Sequence, residues 1–240
     1  LNTLVLHQTT SAMGDKYVVA FEIYNDTQLT QWFIYPYGSV VQNIEILLFS
    51  NGGLASSFKT GHGLKNQQDF HYGSEIEISP GQRKTLLLLF SSDFFFAPIK
   101  ILITPQEQIE QLFHLENALL LLSLGICFAL GVYNLFIFFS TRNKLYLSYA
   151  SATLSFAVGW SSVFGVPEYV GIGRSDYWLM PAFLIGIFFY SYFSIQFLRL
   201  KELAPQTTKS LKVISWITLI SLPFAIYSPG IGFHLVSVLS

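Results

Sequence analysis

The residues of this chain that could take part in binding chemistry are histidines and tyrosines in its first third. His62, His71 and Tyr72 lie in or beside a glycine-rich stretch, where imidazole and phenol groups could contact a polar ligand. Two histidines without a carboxylate at a recognisable spacing are a weak metal signal, so ordinary loop residues are the competing interpretation. The sequence has no Ser/His/Asp set in a plausible context, no phosphate loop and no motif with paired carboxylates. It therefore predicts no catalytic residue, no metal site and no cofactor.

A second candidate site is formed by the aromatic residues Trp32, Tyr35 and Tyr37. Flat aromatic rings could stack on the C–H faces of sugars, which would make this segment part of a carbohydrate site. In a regular strand Tyr35 and Tyr37 share one face, whereas Trp32 points to the other. Packing in the core of a sandwich is the competing interpretation, because aromatic residues dominate such cores.

The elements that must position these residues differ between the two halves of the chain. The 240 residues are 52% hydrophobic and only 11% charged, whereas soluble domains carry about a quarter charged residues. Most of the charge precedes residue 117. The net charge of -1 provides no basic face for a nucleic acid, and the single Cys127 excludes an intrachain disulfide.

Residues 1–104 have the pattern of an all-β domain. In DKYVVAFEIYND, apolar side chains at every second position predict a half-buried strand, and Asn25-Asp26 supplies the turn. Further strands are predicted at Gln31–Tyr35, Val40–Phe49, Phe70–Ile78, Thr85–Phe90 and Ile99–Ile103, separated by glycine and proline turns. Many short strands at this spacing predict a β-sandwich of jelly-roll type. Residues 105–116, opened by a proline, are predicted to be a helical connector.

Residues 117–240 are predicted to cross a lipid bilayer several times. Uncharged apolar runs of about 20 residues match the thickness of a bilayer core, and they lack the alternation of barrel strands. The predicted transmembrane helices lie at about 117–139, 145–164, 177–198 and 211–227, with the start of a fifth at 231. A polytopic α-helical bundle is the fold expected here.

Cations in the connections predict the orientation of these helices. The first and third connections and their flanks contain Arg142, Lys144, Arg199, Lys201, Lys209 and Lys212, whereas the second has Arg174 against two acidic residues. Because cations accumulate in short cytoplasmic loops, the first and third connections are expected inside and the β-domain outside.

Three short segments of the helical part carry a family resemblance. Gly131, Tyr133 and Asn134 are followed by the turn Thr141-Arg142-Asn143 and then by YLSYA from Tyr146. This pattern resembles the bacterial seven-transmembrane receptors with diverse intracellular signalling modules. In the β half, the segments VVAFEIYNDT, WFIYPYGSVVQNIEILLF and ISPGQRKTLLLLF are similar to the type 2 extracellular domain of that family, a jelly roll compared with carbohydrate-binding modules.

The resemblance implies the sensing half of a receptor whose output domain is not in these residues. Gly125 and Gly131 would allow close approach of helices, and Asn134 is expected to make an interhelical hydrogen bond or a switchable signalling contact. Tyr133 belongs to the same motif. The chain starts without Met and ends inside an apolar run, which favours a fragment of a longer protein.

The expected function is a multi-pass receptor of the bacterial inner membrane that senses a periplasmic small molecule or carbohydrate and is not itself an enzyme. Its expected partners are the lipid bilayer and either a second copy of the chain or another membrane protein, but no nucleic acid. A membrane-anchored assembly subunit whose β-domain docks a partner is the alternative. A transporter is disfavoured, because the first three spans lack charged or broken segments.

Overall fold

The computed structural model describes residues 2–5, 13–50, 52–62, 64, 70–95, 97–172, 175–228, 230–232 and 234. The chain divides into two compact units. Unit 1 comprises residues 1–118 and 168–172, and unit 2 comprises residues 119–167 and 173–240. The predicted fifth helix from 231 falls mostly outside the described residues, as does Arg174.

Within the residues that the structure describes, unit 1 is a β-sandwich of eight strands. They are β1 (Asn2–Val5), β2 (Met13–Tyr24), β3 (Gln31–Tyr37), β4 (Asn43–Ser50), β5 (Gly53–Thr60), β6 (Ser74–Glu77), β7 (Arg83–Phe94) and β8 (Lys100–Pro105). One antiparallel sheet has the order β1-β8-β3-β6 and the other has the order β2-β7-β4-β5. Two four-stranded sheets with this interleaved order form a jelly roll, which confirms the predicted fold class.

The core of the sandwich is formed by alternate residues of the facing strands. Ile44, Ile46 and Leu48 of β4 are buried, as are Leu86, Leu88 and Phe90 of β7. This is the period-2 pattern expected of strands that bury one face. β5 was not predicted, because GLASSFKT has small and polar residues in place of a clear apolar alternation.

The turn after β2 is held by the buried side chain of Asn25. Its Nδ2 donates to the carbonyl oxygens of Leu29 at 2.6 Å and Ile78 at 2.7 Å. Its Oδ1 accepts from the backbone N–H of Thr27 at 3.1 Å and from the Thr27 hydroxyl at 2.8 Å. The side chain of Asn25 thus supplies hydrogen bonds to backbone groups in two connections. Backbone carbonyl groups that are buried need such partners.

The helical part comprises α1 (Gln106–Thr141), α2 (Lys144–Val163), α3 (Val166–Tyr169), α4 (Ser175–Phe197), α5 (Leu200–Leu203) and α6 (Pro205–Tyr227). α1 joins the predicted connector and the first predicted span into one helix of 36 residues. By length and composition, α1, α4 from Tyr177 and α6 are long and apolar enough to cross a membrane. α2 falls short in composition, because serines, tyrosines and small residues dilute its larger apolar residues.

Small residues allow α2 and α4 to pack closely within unit 2. A Cβ atom added at Gly159 of α2 would lie 3.1 Å from the ring of Phe183 in α4, and one at Gly186 of α4 would lie 2.9 Å from Phe156 in α2. Each glycine therefore accepts a phenylalanine ring of the opposite helix. Such small-residue contacts are the usual means of close packing between helices in lipid.

Candidate functional site at the start of the first helix

The first turns of α1 pack on the outer face of the sheet β1-β8-β3-β6. β8 ends at Pro105 and α1 begins at the next residue, as a proline before a helix favours. Ile109 and Phe113, four residues apart, share one helix face and are buried against Phe33 and Leu102 of the sheet. Tyr35 and Tyr37 flank this contact.

His71 lies at the centre of the contact and is 5% exposed. Its imidazole stacks on the ring of Phe113, with centroids 3.9 Å apart and planes inclined by 7°. The ring of Tyr35 meets both edge-on, 5.0 Å from Phe113 and 5.8 Å from His71. An aromatic stack thus joins the loop before β6, strand β3 and helix α1.

Polar contacts fix the orientation of the His71 ring. Its Nε2 lies 2.9 Å from Oδ1 of Asn117, and its Nδ1 lies 3.3 Å from the Tyr35 hydroxyl. A neutral imidazole with its proton on Nε2 satisfies both contacts, because Nε2–H donates to Asn117 and Nδ1 accepts from the Tyr35 hydroxyl. The carboxylate of Glu116 lies 3.8 Å from Nδ1. We call Tyr35, His71, Phe113, Glu116 and Asn117 the His71 cluster.

The environment of Tyr35 keeps its hydroxyl protonated. Burial, followed by the negative charge of Glu116 and the neighbouring tyrosines, raises the pKa of Tyr35 well above its usual range. Tyr35 is therefore a hydrogen-bond donor at every physiological pH. Protonation of His71 would turn Nδ1 into a donor, for which the Tyr35 oxygen and the Glu116 carboxylate are the adjacent acceptors.

Backbone features hold His71 and Tyr72 in place. Phe70 has a positive φ of 59°, and Gly73 has a φ of 152°. A Cβ atom at Gly73 would lie 2.4 Å from the carbonyl oxygen of Ile34, so only glycine fits this close approach to β3. The ring of Phe70 also contacts that of Tyr169, with centroids 4.9 Å apart.

The six residues predicted to bind ligand occupy three environments. Tyr35 and His71 belong to the His71 cluster, and Tyr37 stacks on Tyr35 with centroids 5.6 Å apart. Trp32 and Tyr72 pack against the core of the sandwich, where Tyr72 donates to the carbonyl oxygen of Ser39 and burial raises its pKa. His62 is 5% exposed, and its backbone N–H donates to Val41 at 2.7 Å.

Sequence reasoning missed Phe113 and Asn117 as members of this site. The sequence pattern that could have identified them is the spacing of Ile109, Phe113 and Asn117 at four-residue intervals. This spacing places all three residues on one face of a helix. The partner of that face lies in the loop that precedes β6, and no local pattern connects the two segments.

A cavity of about 290 Å³ adjoins the start of α1. It is lined by Gln28, Leu29, Thr30 and Gln31 from the connection between β2 and β3, and by residues 105–108. Residues with amide, hydroxyl and carboxylate groups therefore line it, together with Leu29 and Pro105. The lining offers polar and apolar surface in about equal measure.

The residues predicted to pack or switch in the helices differ in surroundings. A Cβ at Gly131 would lie 2.6 Å from the Leu154 side chain of α2, whereas one at Gly125 would meet no atom within 4 Å. Tyr133 is largely exposed. The amide nitrogen of Asn134 donates at 2.8 Å to the carbonyl oxygen of Leu130 in its own helix. The interhelical bond expected of Asn134 stays a prediction.

The predicted topology-determining cations lie in or beside two connections between helices. Arg142 and Lys144 flank Asn143, whose side chain caps α2 by accepting from the N–H of Leu145 at 3.0 Å. Arg142 and Arg199 both have a positive φ where α1 and α4 end. Lys201 lies in α5, and Lys209 and Lys212 lie in the first turns of α6.

The helical part matches a known family. A family model described as 7TM diverse intracellular signalling matches residues 116–240, which is just over half of the chain. The chain belongs to the 7TM diverse intracellular signalling family. No curated protein matches it.

Membership confirms the resemblance seen in the sequence and indicates a membrane signalling receptor. The match begins at Glu116, inside the His71 cluster. The β-sandwich and the first ten residues of α1, 106–115, therefore precede the part that defines the 7TM diverse intracellular signalling family.

Proposed function

We propose that the β-sandwich is the extracytoplasmic sensing domain of a bacterial inner-membrane receptor. On this proposal it binds a small molecule in the periplasm and passes the bound state through α1 to an output domain in the cytoplasm. The observation that carries the proposal is the continuity of α1. Its first turns pack on the sandwich through the His71 cluster, and the same helix continues into the family's helical region.

The mechanism is a shift between two populations of receptor. In one, the His71 cluster is closed, so that Phe113 is stacked on His71 and α1 is fixed to the sheet. In the other, the stack is open and the start of α1 moves relative to β3. A ligand changes the ratio of the two states only to the extent that it binds one of them more tightly.

Carbohydrate is the ligand class that we propose. The cavity beside α1 presents amide groups of Gln28 and Gln31 and the hydroxyl of Thr30, which match the donors and acceptors of a sugar. A molecule bound there would touch both the β2–β3 connection and residues Gln106–Gln108 of α1. The residues proposed to shape the response to the bound ligand remain Trp32, Tyr35, Tyr37, His62, His71 and Tyr72.

The test uses the full-length receptor purified in lipid nanodiscs. A panel of monosaccharides and disaccharides is screened for an increase in the melting temperature of the sandwich. Hydrogen exchange of residues 106–118 is then compared with and without a sugar that binds. We expect binding to change exchange in this segment, and Phe113→Ala to abolish that change while sugar binding persists.

The matched control is Phe136→Ala, which makes the same substitution at a largely exposed position of the same helix. It should leave both binding and the exchange response unchanged. If no member of the panel binds, carbohydrate is the wrong class of ligand. If a sugar binds but hydrogen exchange in residues 106–118 does not change, α1 does not couple the sandwich to the helical region.

A further inference from the structure

Three contacts of the His71 ring come from one helix, α1. The ring of Phe113 presents its face to the imidazole, with centroids 3.9 Å apart. Oδ1 of Asn117 lies 2.9 Å from Nε2, and the carboxylate of Glu116 lies 3.8 Å from Nδ1. An aromatic face, an amide oxygen and a carboxylate all attract a cation. Protonation of His71 would therefore strengthen its contacts with α1.

Glu116 makes the contact that changes most with the charge of His71. At 3.8 Å its oxygen is too far from Nδ1 for a hydrogen bond, and Nδ1 of the neutral ring is itself an acceptor. Against an imidazolium, the same carboxylate forms an ion pair between the sandwich and α1. The Glu116 side chain is 44% exposed, so water screens this attraction and the effect of one proton is modest.

The other charged groups around His71 have a negative balance. Acidic residues on the elements that contact His71 and its neighbours include Glu75 of β6, Glu110 of α1 and Glu168 of α3, and Asp69 lies two residues before His71 in the chain. Among the described residues of β3, β6, β8, α1 and α3, the basic groups besides His71 are Lys100 and His114, both exposed. A negative balance of this kind attracts a proton.

The hydroxyl of Tyr35 accommodates either form of the ring. A phenol is both a donor and an acceptor, and its hydrogen rotates to suit the partner. The hydroxyl donates to Nδ1 of the neutral ring at 3.3 Å, and its oxygen can accept from Nδ1–H after protonation. The phenols of Tyr37 and Tyr72 adjoin Tyr35 and His71; the first stacks on Tyr35 and the second donates to the carbonyl oxygen of Ser39.

We propose that His71 is a proton switch, which favours the closed His71 cluster at acid pH and releases α1 from the sandwich as the pH rises. A state that binds a proton more tightly gains population as the pH falls. The closed state is that state, because only there does the ring meet Phe113, Glu116 and Asn117. Its advantage is complete below the ordinary imidazole range, about pH 6.5, and is lost as the pH rises above it. The proton switch rests on the proposed function and adds a second input at the same contact.

The test follows hydrogen exchange of residues 106–118 in the full-length receptor in lipid nanodiscs, without sugar. Protection is measured at about pH 5.5 and about pH 8, on either side of the imidazole range, and corrected for the intrinsic exchange rate at each pH. We expect about three- to tenfold higher protection at the lower pH. Glu116→Gln removes the charge and should reduce this ratio below about twofold. Glu110→Gln, the matched control on the same helix, should keep the full ratio, since the Glu110 carboxylate accepts from the Gln106 amide.

A second measurement identifies the group that takes up the proton. Histidines are isotopically labelled, and the imidazole signal of His71 is assigned by its loss in His71→Gln. It should titrate with the same midpoint as the change in protection, whereas His114→Gln should leave that change intact.

Equal protection at both pH values, higher protection at the higher pH, or a full pH response in Glu116→Gln would overturn the proton switch. A sugar response without a pH response would leave the sensing proposal standing and remove only the switch. A pH response without any sugar binding would support the switch and remove carbohydrate as the ligand.

Discussion

At the scale of single residues, the hydrogen bonds of His71 are expected to stabilise the sandwich–helix contact beyond the aromatic stack. His71→Phe keeps a ring against Phe113 but removes the bonds to Tyr35 and Asn117, so two partly buried polar partners lose a contact. We expect a loss of about 1–3 kcal/mol in the free energy of unfolding. A double-mutant cycle with Tyr35→Phe, followed by urea denaturation, isolates the bond between the two residues. Additive losses would contradict direct coupling.

Asn25 is a single residue whose loss should clearly lower the stability of the sandwich. Asn25→Ala leaves the buried carbonyl of Ile78 and the carbonyl of Leu29 without their side-chain donor. We expect a loss of about 2–4 kcal/mol, measured as the free energy of unfolding of the sandwich. Asn25→Asp keeps the acceptor to Thr27 but removes both donors, so it should be nearly as damaging. Asp26→Ala, at the exposed neighbouring position, is the control and should change stability little.

At the scale of elements, the spacing between α2 and α4 depends on their glycines. Gly186→Val would place methyl groups where the Phe156 ring lies, and the helices would have to separate. We expect the helical unit to lose about 1–3 kcal/mol, seen as a lower melting temperature in detergent. Gly125→Val is the matched control, because no atom lies within 4 Å of its Cβ position. Equal effects of the two substitutions would show that close packing at Gly186 is unimportant.

At the scale of the whole molecule, the cations predict which side of the membrane each part occupies. With Cys127 replaced by Ser, a membrane-impermeant maleimide added to spheroplasts should label Tyr24→Cys on the sandwich but not Ser140→Cys beside Arg142. Both sites are exposed, so accessibility of the side chain does not distinguish them. Permeabilised cells should show labelling at both. Labelling of Ser140→Cys alone in intact spheroplasts would reverse the predicted topology.

Much of the fold could be predicted because its signals are local. Alternation of apolar residues identified β2, β3, β4 and β7, and the long uncharged runs identified the helices. β5 was missed because an edge strand with one partner needs few apolar residues. The predicted connector and the first predicted span form one helix, since Glu116 and Asn117 interrupt the apolar run but not the helix.

Less of the site could be predicted, because its residues come from distant segments. His71 and Tyr35 were identified by residue type alone, and their partner Phe113 looked like an ordinary apolar residue at the approach to a membrane span. The interhelical bond expected of Asn134 stays a prediction, since the contact described for its amide nitrogen is with Leu130 in its own helix.

The sequence by itself determined the sandwich, the membrane-spanning helices and the receptor family, since composition, periodicity and a short motif are local properties of the chain. Only the tertiary structure decided that His71 stacks on Phe113 at the start of α1, and that the side chain of Asn25 bonds the carbonyl groups of Leu29 and Ile78. The physical reason is register. Pairing between distant segments fixes which side chains meet, and no short stretch of sequence contains that information.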